Sequence, residues 1–483
     1  MIIMREYWKK ILTIGLLAYS SQSFALTEKL TIEDCHIDGI KQQVKCGTLQ
    51  VPENYQQPNG TQININFAVI PAIDRTQNKE PLMFLAGGPG QAAAEIAATL
   101  RQGFTEVRKT RDLILVDQRG TGKSHPLQCD EVEGNSPYTS IPEELDLEDV
   151  KQCLAQLEGD LSQYNTENAI RDFDAVRAAL GHEKITIYGG SYGTRAGLVY
   201  MRMFPQSLSA VVLDSVGPIE VPIGTFGQSS ARSFNMLLAH CMEEESCKQA
   251  YPDLAQEFAT VIERLEENPI TVTITHPRLG TPTEFVISRL KFISTIRMQL
   301  YSVEMRTMVP LIIHQAFLGN FAPLAGLTAA QESSMGMYVG LLFNIVCNED
   351  LPRISDEMWR KDADNNFGQD ASHLAWKTVC PIWPQYRLGE SFYQAVTADI
   401  PTLIISGDVD PVTPPSNGDY ADKSLPNSKH IILKNSAHTP GPSTCAIDII
   451  DEFLTKKDPN DLDESCLEKI PSESFMTSLN GSI

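Results

Sequence analysis

The sequence predicts an α/β fold: a mostly parallel sheet with crossover helices, its two parts separated by an inserted, mainly helical cap. Three observations carry this reading. Short apolar runs that suit buried parallel strands alternate with helical periodicity as far as Asp214. The strand rhythm then stops for about 180 residues, and it returns near Thr402.

Taken in order, residues 62–73 alternate as a strand does, and residues 82–86, 113–116, 185–188 and 210–213 are apolar runs that end at turn residues. Between them, residues 166–180 place Ile170, Phe173, Val176 and Leu180 at three- and four-residue steps, one face of a helix. In the insert, Leu254, Phe258, Val261, Ile262 and Leu265 repeat in the same way, and Asn268-Pro269 ends that helix because the residue before a proline is driven out of helical geometry. Strands resume at 402–405 and 431–433, followed by a terminal helix around 446–454. The expected organisation is an export signal at 1–25, a first core part at 26–218, a helical cap at 219–396 and a second core part at 397–483.

The signal rests on Arg5, Lys9 and Lys10, the short apolar run 11–19, and the small-x-small site Ser23-Phe24-Ala25. That run is far below the roughly 20 residues that span a bilayer, so cleavage before Leu26, no lasting membrane insertion, and a periplasmic or extracellular location are expected. With 39 Lys+Arg against 61 Asp+Glu, the formal charge of −22 gives no support for nucleic acid or anionic lipid as partners. Ten cysteines in an exported chain predict disulfides between sequence neighbours: Cys35 with Cys46, Cys129 with Cys153, Cys241 with Cys247, Cys347 with Cys380, and Cys445 with Cys466. No close Cys/His grouping suggests a metal, and no cofactor is expected.

The chemistry is concentrated at Gly189-Gly190-Ser191-Tyr192-Gly193, which follows an expected strand and opens a helical stretch through Arg195, Leu198 and Met201. Such a turn needs glycine where side chains would collide, and it lifts the Ser191 hydroxyl above the sheet at a helix N-terminus. A nucleophile of this kind needs a carboxylate and a base from later loops. The run 402–405 leads into Ser406-Gly407-Asp408-Val409-Asp410-Pro411, and 431–433 leads into Asn435-Ser436-Ala437-His438. Asp410 would orient the His438 imidazole, which would take the Ser191 proton and pass it to the leaving group. Asp408 competes for the acid role, but Asp410 lies further beyond the strand end. Donors for a developing oxyanion are expected from Tyr192 N–H and from Gly88 N–H in Gly87-Gly88-Pro89-Gly90. Two look-alikes are set aside. The loose dinucleotide pattern beginning at Gly88, with Asp117 as its acid, carries Pro89 where a phosphate donor would be needed, and Gly120-Thr121-Gly122-Lys123-Ser124 has Asp117 where a phosphate loop needs glycine.

Together these residues resemble the prolyl aminopeptidase family of α/β-hydrolases, most closely its secreted tripeptidyl-aminopeptidase-like branch, over nearly the whole mature chain. The marks are Cys46-Gly47-Thr48-Leu49-Gln50-Val51-Pro52, the Gly87 loop, Asp117-Gln118-Arg119-Gly120, the Ser191 elbow, and Gly407-Asp408-Val409-Asp410-Pro411-Val412-Thr413-Pro414. The resemblance implies an α/β-hydrolase fold with Ser191, Asp410 and His438 as triad, and with Gly88 and Tyr192 as oxyanion donors. It makes Asp117 and Arg119 structural braces of the neighbouring loop. Two positions depart from the family pattern: Ala86 stands where a histidine often precedes Gly-Gly-Pro-Gly, and Ala92 where a serine often follows. The implied substrates are peptides with a free N-terminus, and a carboxylate in a partly desolvated pocket would hold the ammonium. Glu349 and Asp350, in a stretch like the family's Cys-x-Glu-Asp, are the candidates, with the acidic run Glu243 to Glu245 as a second choice. The same triad would also serve a carboxylesterase or lipid-ester hydrolase, which would be indifferent to a free amine.

Overall fold

The computed structural model describes residues 29–77, 79–128, 147–275, 280–332, 336–364, 366–369 and 371–480; the expected export signal and Cys129 lie outside the described residues. In chain order the strands are β1 (Leu30–Cys35), β2 (Val44–Pro52), β3 (Gln62–Ile70), β4 (Leu82–Leu85), β5 (Leu113–Val116), β6 (Ile185–Gly190), β7 (Leu208–Asp214), β8 (Ile270–Thr275), β9 (Pro282–Ile287), β10 (Thr402–Gly407) and β11 (Ser428–Leu433). Nine of them form one sheet in the order β1-β2-β3-β5-β4-β6-β7-β10-β11. The first four pair antiparallel, and from β5 onward every neighbour is parallel.

The parallel strands are apolar at successive residues because both faces of the sheet are covered. On one face Met83, Leu85, Ile114, Ile187, Val211 and Ile404 pack with Ile170, Phe173 and Val176 of the helix Thr166–Ala179, and with Leu198 and Val199 of the helix Tyr192–Met203. On the other, Leu82, Leu113, Leu115, Val212, Leu403 and Ile405 pack with Leu100 of the helix Ala97–Gly103, and with Ile449, Ile450 and Phe453 of the helix Ala446–Lys456. This is the predicted α/β-hydrolase architecture, and it sets the C-terminal ends of β4, β6, β10 and β11 along one edge of the sheet, where ligands of such folds bind.

Between β7 and β10 the chain runs mostly through helices, with one addition that the helical expectation missed. β8 and β9 pair antiparallel, and the β8 side chains alternate between half-buried and exposed, a period of two that a search for helical spacing passes over. The insert has its own apolar centre, built on Phe234, Leu237, Phe258, Phe292, Ile296 and Ile312, and Phe475 from the C-terminal segment is buried among them. That segment is fastened by Met476 N–H donating to the Thr307 carbonyl at 2.9 Å and by Glu473, which accepts from Arg306 Nε at 2.9 Å. Disulfides join Cys35 to Cys46, Cys241 to Cys247, Cys347 to Cys380 and Cys445 to Cys466, the neighbours expected from the sequence. Among the described residues no helix is long and apolar enough to cross a membrane.

Truncating Phe475 empties a site deep in the insert's core. Phe475→Ala is expected to lower unfolding stability by about 3–5 kcal/mol, read from chemical denaturation. An unchanged denaturation midpoint would show that the tail merely lies against the cap.

Candidate active site

Ser191 sits between β6 and the helix Tyr192–Met203 with φ +56°, a conformation that non-glycine residues rarely adopt. The turn closes only because its flanks carry no side chain: a Cβ on Gly189 would collide with the Gly193 carbonyl, and one on Gly193 with the carbonyl of Leu85 in β4. The strained residue is pinned by its own N–H, which donates to the Asp214 carbonyl at 3.0 Å, and by its carbonyl, which accepts from Thr194 Oγ1 at 2.5 Å. Tyr192 opens the helix, so its N–H has no carbonyl one turn back to bond.

The Gly87-Gly88-Pro89-Gly90 loop lies against this turn, since a Cβ on Gly87 would come within 3.3 Å of Ser191 Cβ. Gly88 and Gly90 have φ of +107° and +118°, and the Gly88–Pro89 peptide is cis. The insert reaches this loop: Tyr338 N–H donates to the Gly90 carbonyl at 2.9 Å, and the Met337 methyl lies 2.7 Å from where a Gly88 Cβ would be.

Asp410 is fully buried, and its Oδ2 lies 2.8 Å from His438 Nδ1. Three further donors hold it: Val412 N–H at 2.7 Å and Thr413 N–H at 2.9 Å on Oδ1, and the Thr413 hydroxyl at 2.9 Å on Oδ2. Burial disfavours the charged form, but His438 and these donors outweigh it and hold the carboxyl below its usual range. Burial likewise pushes His438 down, and the Asp410 charge and hydrogen bond more than reverse that, leaving the imidazole above its ordinary value. Asp408 goes elsewhere: its Oδ1 accepts Ser436 N–H at 3.2 Å, bracing the start of the histidine loop. The structure therefore brings Asp410, and not Asp408, to the imidazole.

Several contacts here come from residues the sequence did not single out. His438 N–H donates to the Tyr301 carbonyl at 3.1 Å, and the Tyr301 ring meets the imidazole edge-on with centroids 5.3 Å apart. Arg232 donates to the carbonyls of Asp408 at 2.7 Å and Asp410 at 3.2 Å, while Ser230 and Ser233 bond the carbonyls of Pro411 and Val409. All four lie in the insert, far in sequence from Asp410 and His438, and no local pattern marks them.

Glu349 and Asp350 fall on the π-helical turn Val346–Asp350, and both are fully buried. Asp350 Oδ1 already accepts from Arg195 at 2.6 Å and Arg353 at 2.9 Å. Glu349 accepts from the Thr166 N–H at 2.8 Å and the Thr166 hydroxyl at 2.6 Å, and no cation lies within bonding reach among its described contacts. The Thr166 hydroxyl is in turn 2.7 Å from the Tyr192 hydroxyl, which places Glu349 behind the side chain of the residue after Ser191. Burial raises the Glu349 carboxyl to about 7. Of the second acidic run, Glu244 is engaged by Phe475 N–H at 3.0 Å and so serves the C-terminal segment.

Asp117 and Arg119 are interior braces. Asp117 accepts from Ala94 N–H at 2.9 Å and Asn66 Nδ2 at 2.7 Å, and Arg119 forms a buried two-pronged pair with Asp172 at 2.7 and 2.8 Å. A second Ser-His-Asp trio also exists, with Ser406 Oγ 2.9 Å from His430 Nε2 and His430 Nδ1 3.0 Å from Asp419. Ser406 is fully buried within β10, so this trio offers a substrate no approach and locks a strand to the following helix. Among the described residues no group of three or more His, Cys, Asp or Glu side chains is arranged to hold a metal. The arrangement has the parts acyl transfer needs: a half-buried serine at a strained turn, and a buried carboxylate orienting an imidazole, with the Gly87 loop lying against the serine turn.

The fold and this arrangement define an α/β-hydrolase. Residues 80–243 match the family described as alpha/beta hydrolase fold, and residues 365–466 match that described as TAP-like protein, so the chain has the α/β-hydrolase fold with a C-terminal part similar to the TAP-like proteins. A tripeptidyl aminopeptidase of Streptomyces lividans is 31% identical over 207 residues, 38% of this chain and 37% of that protein. Serine protease Hip1 of Mycobacterium tuberculosis is 26% identical over 409 residues, 76% of each chain. Carboxylesterase B of Mycobacterium tuberculosis is 32% identical over 224 residues, 42% of each. The chain thus matches well under half the length of the tripeptidyl aminopeptidase.

A buried acid with a raised pKa ties stability to pH. Native Glu349 keeps its proton up to about 7, whereas the unfolded side chain releases it near 4.5, so native stability is full below 4.5 and falls as pH climbs to 7. Glu349→Gln removes that loss, and its stability relative to the parent is expected to rise across this window by on the order of 3 kcal/mol, read as denaturation midpoints at several pH values. A difference that stays constant across the window would mean that the carboxyl is ionised in the native protein.

Proposed function

We propose that the protein is an exported serine peptidase that removes short peptides from free N-termini through an acyl-enzyme on Ser191. The observation that carries the reading is the buried Asp410 bonded to His438 Nδ1 at 2.8 Å beside the strained Ser191 turn. In this reading His438 accepts the Ser191 proton as the hydroxyl attacks the scissile carbonyl, and Asp410 stabilises the imidazolium that results. Gly88 and Tyr192 N–H groups hold the oxyanion, His438 returns the proton to the departing amine, and water then releases the peptide.

Peptide rather than ester substrates are supported by the relatives named tripeptidyl aminopeptidase and serine protease. Export is supported by the apolar N-terminal run and by the disulfides, which persist in oxidising compartments. The insert at 219–396 acts as the cap that admits a short unblocked end. Of the two acidic candidates, Glu349 is assigned to the substrate ammonium, because Asp350 already carries two guanidinium partners; Glu349 is itself fully buried, so this assignment requires the cap to open a path past Tyr192. An ammonium arriving there would favour the ionised form of a carboxyl that burial, with the Asp350 charge beside it, raises to about 7.

The test is a matched panel: Pro-anilide, Ala-Ala-Pro-anilide, its N-acetyl derivative and a short-chain phenyl ester. The free tripeptide is expected to be cleaved, with acetylation reducing kcat/KM at least about 30-fold and Ser191→Ala reducing it at least about 10⁴-fold. Glu349→Gln is expected to weaken cleavage of the free tripeptide while sparing the ester. Ser191-dependent ester hydrolysis with both tripeptides intact would make the protein an esterase, as the likeness to a carboxylesterase allows.

A further inference from the structure

The acyl-transfer steps use neither Asp214 nor Ser215, yet both touch the machinery from two sides. Asp214 ends β7, beside the nucleophile strand, and is fully buried. Its carbonyl accepts Ser191 N–H at 3.0 Å. Its Oδ2 accepts Gly441 N–H at 2.8 Å and is bonded by the Tyr188 hydroxyl, while Oδ1 is buried without a partner among the described residues. Ser215, at φ +61°, accepts Thr439 N–H at 2.8 Å, and Thr439 is itself at φ +53°. Gly441 has no room for a side chain, because a Cβ there would lie 2.7 Å from Asp214 Oδ2. The loop that begins with His438 is therefore fastened at residues 439 and 441 to the same dipeptide whose carbonyl fastens Ser191.

We infer that Asp214 and Ser215 form a positioning clamp that sets where the His438 imidazole stands relative to the Ser191 hydroxyl. The inference rests on reading Ser191 and His438 as nucleophile and base. Fold stability alone does not call for a buried carboxylate with one oxygen unpaired, since an apolar residue would avoid that desolvation. Three strained backbones, at Ser191, Ser215 and Thr439, meet at this one point, and such strain persists only where its surroundings over-determine it. Tyr188, His438 and Asp410 are the titratable groups that act on Asp214, and burial raises its carboxyl to about 7. The neutral, isosteric Asn therefore preserves the acceptor for Gly441 at small electrostatic change.

The experiment uses the whole mature chain with active sites titrated by a fluorophosphonate, and turnover is expressed per titrated site on whichever panel substrate is cleaved. Asp214→Ala is expected to lower kcat at least about 10-fold with KM within about 2-fold, since a misplaced base weakens the transition state and not substrate binding. Asp214→Asn is expected to stay within about 3-fold of the parent. A purely structural residue would reduce the number of titrated sites and leave turnover per site alone. Parental turnover in Asp214→Ala overturns the clamp. If that variant shows no cooperative melt, Ser215→Ala decides, with a drop in kcat of at least about 5-fold supporting the clamp and parental turnover overturning it. Failure of the parent protein to label at Ser191 overturns the functional reading and the clamp together, whereas labelling with parental turnover in the variants overturns the clamp alone.

Discussion

The constraint on which the molecule depends is the close approach of the Gly189 to Gly193 turn to β4. Backbone meets backbone there with no side chain between, and Ser191 is held at a positive φ as a result. Moving either element outward would relax the serine into an ordinary conformation and lower its hydroxyl toward the sheet. The apolar packing of β4, β6 and β7 thus holds the strained Ser191 backbone in place. The Asp214 carbonyl, supplied by the strand beside it, completes the hold.

The insert is part of this hold and not a freely swinging lid. Arg232, Ser230 and Ser233 reach down to the carbonyls around Asp410, Tyr301 takes the His438 N–H, and Tyr338 bonds the Gly90 carbonyl. The Asp410 loop, His438 and the Gly87 loop each carry a bond to the insert, so the insert's position and the geometry of the Ser191 site vary together. Movement of the insert as a body would break all of these bonds.

Much of this was legible in the sequence because the decisive elements leave local patterns. Buried parallel strands are runs of apolar residues, and the Ser191 turn needs its glycines at fixed offsets, so β4 to β7, β10, β11 and the three triad candidates could be placed by inspection. β1 and β2 were not anticipated: they sit at the antiparallel edge, where alternation is diluted by exposed residues. The order of preference between Asp408 and Asp410 was legible from distance beyond the strand, but the reason, the Thr413 and Val412 donors, is a matter of three-dimensional closure. Tyr301, Arg232 and Asp214 were invisible because each acts through contacts across long sequence separations. Glu349 was found by motif alone, and its partner Thr166, more than 180 residues earlier, could not have been.

Phe475 follows the last strand and the last long helix of the core, yet it fills the centre of a unit whose other fully buried members all precede residue 330. A chain that emerges N-terminus first can fold its sheet and its nucleophile turn well before that centre closes. The insert that bonds the Asp410 and His438 loops stays incomplete until the segment around Phe475 arrives. The last part of the chain is thus a structural member of the unit that leans on the site, and not a dispensable tail.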